Sequence, residues 1–182
     1  MGVSVDGFVA DREGDFGWTP PDDELFAFHT ELVGAHGAYL LGRRLYEAMV
    51  PWETDPAMRD TEAHAAFADI WRALPKVVFS TTLDRVEGNA RLAQGSVADE
   101  VAAALAATRG TGKDVSIGGA DLAGQALALD LVDELRIFRH PLLVGGGTPY
   151  FPPLTTRRPL ELVETRTFGG RVVFERYRRV RP

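Results

Sequence analysis

The sequence predicts a single α/β domain: a mainly parallel central sheet flanked by helices on both faces and finished by antiparallel C-terminal strands. Three observations carry this. Short apolar runs alternate with longer helix-like runs over the first two thirds of the chain, the pattern of parallel strands joined by helical crossovers. The last third changes to strand-like runs, two of them separated by a glycine pair. The 182 residues, 45% hydrophobic and 25% charged, fit one globular domain, here spanning residues 1–182, that can bury a core without covalent staples.

The elements follow in order. Residues 1–5 are short for a first strand. Residues 11–23 and 51–61 are rich in Pro, Gly, Asp and Thr and read as loops. Strand-like runs are residues 38–41, 76–79 and 115–117. Helix-like runs are residues 22–33, 43–49, 63–74, 97–108 and 121–129. The run after Ser96 opens with a capping box, Asp99 standing three residues on, and continues into alanine-rich turns. Residues 133–139, 160–168 and 172–178 are the late strands. Gly169 and Gly170 suit the primed turns that tight hairpins favour. The terminal "RYRRVRP" reads as a charged edge strand or tail, a guard against edge pairing.

Bulk properties narrow the partners. The net charge of −6 argues against nucleic acid or an anionic membrane as the main partner. No apolar run reaches membrane-spanning length and no secretory pattern opens the chain, which predicts a cytoplasmic protein. There is no cysteine, hence no disulfide, thiolate ligand or thiol nucleophile. The four histidines, His29, His36, His64 and His140, show no metal-ligand spacing, so no metal is expected.

The chemistry concentrates at strand-to-helix junctions, since ligands of open α/β sheets bind at the carboxyl ends of the strands. In "YLLGRRLYEAM" the apolar Tyr39–Leu41 runs into Gly42 and a helix; in "VSIGGADLAG" a strand runs into Gly118 and Gly119 and a second helix. Each helix start offers unpaired N–H groups and about half a positive charge. Glycine lets an anion approach without a Cβ in the way, and Arg43 and Arg44 add fixed charge. Two such starts match the two phosphates of a dinucleotide. The alternative at either place is a plain glycine helix cap. Neither stretch has Walker A or GxGxxG spacing. A third junction, "KVVFSTTLDR", puts Ser80, Thr81 and Thr82 after a buried strand, either as a further phosphate contact or as an ordinary hydroxyl-rich turn.

These pieces in this order resemble the dihydrofolate reductase-like superfamily, especially stand-alone relatives of the RibD C-terminal domain, the reductase part of bifunctional riboflavin-biosynthesis enzymes. The matching stretches are "SVDGFVA", "LLGRRLYE", "KVVFSTTL", "SIGGADL", "LVDELRIFRHPLLVGGGTPYF" and the final hairpin, which together span nearly the whole chain. The resemblance implies an NADPH-dependent reductase of a small pterin- or pyrimidine-like substrate, and a homodimer. It implies that Gly42, Arg43, Arg44 and Leu45 lie by the cofactor phosphates, Ser80 and Thr81 by the adenosine ribose phosphate, and Gly118, Gly119, Ala120, Asp121 and Leu122 along the diphosphate. It further implies a cis peptide between Gly118 and Gly119. Three features depart from the relatives: Leu45 stands where a threonine is common, Ile117 where an acidic residue usually precedes the glycine pair, and Thr54-Asp55-Pro56 is all that remains of an Asp-Asp-Pro segment. The last two weigh against a phosphoribosylated pyrimidine.

Reduction by hydride needs a proton source beside the acceptor. Asp22 and Asp23 in "WTPPDDELFAF" match the acid that opens the first long helix of dihydrofolate reductases, and each also suits a helix N-terminus by itself. Asp6 in "SVDG" is a further acid, in what is also a turn signal. Trp18, Phe26 and Trp52 are candidate aromatic walls for a planar substrate, or core residues. Thr148 and Phe151 in "GGGTPYF" are candidates for the rim. Tyr46 and Glu47 read as packing and surface residues. Asp121 would repel a diphosphate unless turned away, and is also placed to cap its own helix. Two other readings stay open: a nucleotide-binding module of the same fold without turnover, and a binder of flavin or another phosphorylated ligand.

Overall fold

The computed structural model describes residues 1–18 and 20–181; Thr19, inside the "WTPP" stretch, and Pro182, the end of the basic tail, lie outside them. In chain order the elements are β1 (Gly2–Ser4), β2 (Phe8–Ala10), α1 (Asp23–Gly34), β3 (His36–Gly42), α2 (Arg43–Met49), the single turn α3 (Pro51–Thr54), a 3-10 turn (Pro56–Arg59), α4 (Glu62–Ala73), β4 (Lys76–Phe79), β5 (Ala90–Leu92), α5 (Val97–Thr108), β6 (Asp114–Gly118), α6 (Ala120–Ala128), β7 (Glu134–His140), β8 (Thr148–Pro149), β9 (Leu160–Phe168) and β10 (Val172–Arg179). They pack as two compact units, one of residues Phe26–Gln125, the other of Met1–Leu25 with Ala126–Pro182.

The first unit holds a parallel sheet in the order β5-β4-β3-β6. Successive strand residues face opposite ways, and Leu40 and Leu41 are both 0% exposed, so β3 is covered on both faces. One face meets Tyr46 of α2 and Phe67, Trp71 and Leu74 at α4, with Val78 of β4 beside them. The ammonium of Lys76, at the start of β4, donates to the carbonyls of Trp71 and Leu74 and pairs with Glu53 at 2.8 Å; both side chains are buried. Two hydrogen bonds and an ion pair offset the burial of the charge. Burial lowers the Lys76 pKa, and Glu53 opposes that shift.

Helix starts are well marked. Ser96 and Asp99 exchange both bonds of the capping box at α5, and Thr61 caps α4. Beyond the last residue of α6, Asp130 takes φ 66° and the Leu131 amide bonds to the Ala126 carbonyl, the wrap-around that closes many helices.

The second unit holds the sheet β1-β7-β10-β9, with β1 parallel to β7 and the rest antiparallel, and a separate β2–β8 pair. Gly169 and Gly170, at φ 53° and 66°, turn β9 into β10. Two expectations change. Residues 51–61, read as a loop, contain α3 and the 3-10 turn, because Pro51 and Pro56 each open a short helical turn and Asp55 caps the second through the Ala57 amide. The basic stretch is no edge either: β10 lies between β7 and β9, and Arg176 is paired with Glu134 and Glu164 across it.

Candidate functional site

Strands β3 and β6 are parallel neighbours with Leu41 opposite Gly118, and β4 runs beside β3 with Phe79 opposite Gly42. The three predicted junctions therefore open at one end of the sheet, the carboxyl end. Gly42 and Gly119 meet backbone to backbone. A Cβ on Gly119 would stand 3.4 Å from the Gly42 Cα and N, and a Cβ on Gly42 would stand 3.8 Å from the Gly118 oxygen and the Leu122 Cβ. Helices α2 and α6 start side by side.

Gly118, which ends β6, and Gly119, which follows it, are glycines for different reasons. At Gly118 a Cβ would fall 2.5 Å from the Leu45 Cδ2 and 2.8 Å from the Tyr39 hydroxyl, so any side chain there would have to displace the ends of both. That hydroxyl is bonded to Ser116, and burial raises the Tyr39 pKa. At Gly119 the backbone takes φ +94°, which side chains rarely adopt. No cis peptide occurs among the described residues. The expected cis bond between Gly118 and Gly119 is corrected: the positive φ of Gly119 turns the chain from β6 into α6.

The charges around these starts are partly committed. Gly42 caps α2 with no side-chain bond to the first turn. Arg43 is paired with Glu47 one turn on, its Nη1 at 3.1 Å from both carboxylate oxygens, while Arg44 is exposed. At α6 the Asp121 carboxylate accepts from the Gln125 Nε2, which draws it along the helix rather than onto the helix start. Leu122 is buried and Ala120 half-buried. The Ser80 Oγ accepts from the amides of Thr82 and Leu83, closing its own turn, and Thr81 is exposed. Tyr46, buried, takes the Glu87 amide on its hydroxyl and belongs to the core.

Two of the predicted aromatic walls come together. Phe26 and Trp52 lie 5.9 Å apart with Phe67 against both, at the margin of the core, so packing is part of their role. His64, which sequence spacing left as ordinary, stands edge-on to Phe26 at 4.9 Å and to Trp52 at 5.7 Å. Its Nδ1 is 2.6 Å from Asp60.

In the second unit Asp6 is a hub. One carboxylate oxygen accepts from the Ser4 hydroxyl at 2.6 Å and the Val144 amide at 3.0 Å, the other from the Gly145 amide at 2.7 Å. The Ser4 hydroxyl, then the two amides, hold its pKa down to about 2. Such a carboxylate is ionised at neutral pH and has no proton to give. The loop it grips carries three glycines at positive φ: a Cβ on Gly147 would fall 2.2 Å from the Ala10 oxygen, and Gly146 lies under the Arg12 guanidinium, whose Nη2 donates to the Gly145 carbonyl. Asp22 caps α1 by accepting from the Leu25 amide and rests its other oxygen over Gly169. Asp23, exposed, stands in the first turn of α1. Trp18 is half-buried, Thr148 pairs with Ala10 across the β2–β8 ladder, and Phe151 is exposed with its ring against Tyr150. Among the described residues no group of three or more His, Cys, Asp or Glu is placed to hold a metal. No helix there is long and apolar enough to cross a membrane.

The sequence model of the RibD C-terminal domain matches residues 1–174. The chain belongs to the RibD C-terminal domain family. It is 31% identical over 180 residues, 95% of its length and 89% of the other's, to the uncharacterized protein YyaP of Bacillus subtilis. Among solved structures it is similar to a putative riboflavin biosynthesis protein from Shewanella sp. PV-4, with a TM-score of 0.77 and 23% identity covering 100% of this chain and 97% of that one. It is also similar to the Thermotoga maritima diaminohydroxyphosphoribosylaminopyrimidine deaminase/5-amino-6-(5-phosphoribosylamino)uracil reductase, with a TM-score of 0.66 and 17% identity covering 99% of this chain and 55% of that longer one. At these identities the solved structures establish the shared fold, that of RibD-like reductases. The glycine junctions carried a signal in the sequence, and Asp60 and His64 stand four residues apart, a spacing the sequence also displays; what the sequence could not show is the contact of the His64 ring with Phe26 and Trp52.

Proposed function

We propose that this RibD C-terminal domain protein is an NADPH-dependent reductase of a small planar, pterin- or pyrimidine-like substrate. The observation that carries the reading is the contact of Gly42 with Gly119, which sets the starts of α2 and α6 side by side. Anions favour helix N-termini. The start of α2 has no side-chain cap, and Asp121 is engaged by Gln125, so the chemistry of the junction fits a diphosphate.

In this reading Gly42, Arg43, Arg44 and Leu45 flank one phosphate, and Gly118 to Leu122 the other. Ser80 and Thr81 serve the phosphorylated ribose, through the Thr81 hydroxyl and the remaining capacity of Ser80. The bound dinucleotide supplies the hydride; the chain orients it, excludes water and furnishes a proton. Trp18, Phe26, Trp52, Thr148 and Phe151 remain the proposed substrate contacts, and the active form is proposed as a cytoplasmic homodimer of single-domain chains. Of the proposed acids Asp23 is the one whose carboxylate is neither a cap nor a loop clamp.

NADPH should raise the melting temperature more than NADH does, and a pterin and pyrimidine panel should deplete the nicotinamide absorbance. Equal shifts, or none, count against the reading. Binding without turnover is the second reading, favoured by the commitment of Asp6 to the 144–145 loop; it predicts the thermal shift and no depletion with any substrate.

A further inference from the structure

We infer that His64, anchored by Asp60 and set edge-on against Phe26 and Trp52, is the group that meets the planar substrate and gives it a proton. The inference rests on the reductase reading and names a donor other than Asp23, the one acid of that reading left uncommitted. Asp6 is clamped in its ionised form, and Asp22 is spent on the start of α1.

The last turn of α4 is fastened to the amino end of β4, where Lys76 holds the Trp71 and Leu74 carbonyls. The first turn of α4, which carries His64, therefore lies toward the opposite end of that strand, the end at which Gly42, Gly119 and Ser80 open.

The Thr61 hydroxyl accepts from the His64 backbone amide, which fixes the residue in the first turn, and Asp60 takes the Nδ1 side of the ring. A carboxylate on one ring nitrogen sets the tautomer and leaves Nε2 as the working atom. The side chain is 37% exposed, so the ring is open in part to a ligand while it packs against Phe26 and Trp52. Neighbouring charges do not compete: Glu53 is turned to Lys76, and Arg59 to Asp69.

The chemistry balances. An acceptor C=N bond takes a hydride at carbon from a reduced nicotinamide. Its π pair moves to nitrogen, and that nitrogen takes the proton from Nε2. The ring is left neutral, still held by Asp60, and regains its proton from water.

The test uses the full chain with pterin and diaminouracil as probes. His64 imidazole resonances should move on adding a probe. His64→Phe, which keeps an aromatic ring against Phe26 and Trp52, should weaken probe binding at least tenfold while leaving NADPH affinity unchanged. Turnover lost in His64→Ala should return in part with added imidazole, which a packing role would not allow. Unmoved resonances, wild-type probe affinity in His64→Phe, or no imidazole rescue overturns the assignment. Absence of NADPH binding to the wild-type chain overturns the reductase reading instead.

Discussion

Two glycine clusters in this protein use the same residue for opposite ends. At Gly145, Gly146 and Gly147 the backbone is closed upon itself: amides at 144 and 145 are taken by the Asp6 carboxylate, the Gly145 carbonyl by Arg12, and the chain at Ala10 sits where a Cβ would go. At Gly42 and Gly119 two backbones touch, yet the start of α2 has no side-chain cap and the acidic residue of α6 is engaged elsewhere. Asp6 does inside the chain what a phosphate would do at the other cluster. A glycine-rich turn is thus read as a ligand site only after its amides have been accounted for.

The contrast between closed and open polar groups can be broken by mutation. The largest effect is expected at a closed group: Lys76→Met leaves Glu53 buried and unpaired and should cost about 3–5 kcal/mol in urea unfolding, with much of the loss returned by adding Glu53→Leu. Next, Gly147→Ala forces a Cβ against the Ala10 carbonyl at positive φ and should cost about 3 kcal/mol or more, whereas Gly42→Ala, whose Cβ finds ordinary 3.8 Å contacts, should cost less than about 1 kcal/mol. Equal losses at the two glycines would erase the distinction.

Acid gives a smaller and signed effect. Asp6 is held at about 2 against an ordinary 3.8, and Glu100 at about 2 against 4.5, chiefly by Arg91 with the Gln94 and Gly95 amides. Depressed carboxylates stabilise above their unfolded values and lose that contribution as pH falls through the folded ones. Melting temperature should therefore decline between about pH 4.5 and 2, and Asp6→Asn or Glu100→Gln should shallow the decline while lowering the plateau. The smallest expected change is Glu47→Gln: the exposed pair with Arg43 contributes no more than about 0.5 kcal/mol, so stability should hold while Arg43, released, tightens NADPH binding modestly.

Much of the fold was legible because its signals are local. Helices α2 and α5 and strand β9 span the residues expected of them, since a glycine, a capping box and a hairpin turn mark their limits. Strands β2, β5 and β8 were not legible; two or three residues carry no period. The site divided the same way. Glycine junctions announced themselves in sequence, but their neighbours decided what each glycine is for: Leu45 and Tyr39 explain Gly118, and φ explains Gly119. Asp6 looked like an acid beside a turn, and only the distant 144–145 amides reveal its commitment.

The central claim is that the α2 and α6 starts jointly hold a nicotinamide dinucleotide phosphate. Calorimetric titration of NADPH into the wild-type chain and Gly42→Ala tests it most directly. NADPH should bind more tightly than NADH and at least tenfold more weakly to the variant, whose melting temperature should be little changed. Undiminished affinity in Gly42→Ala, or no heat with either chain, would contradict it.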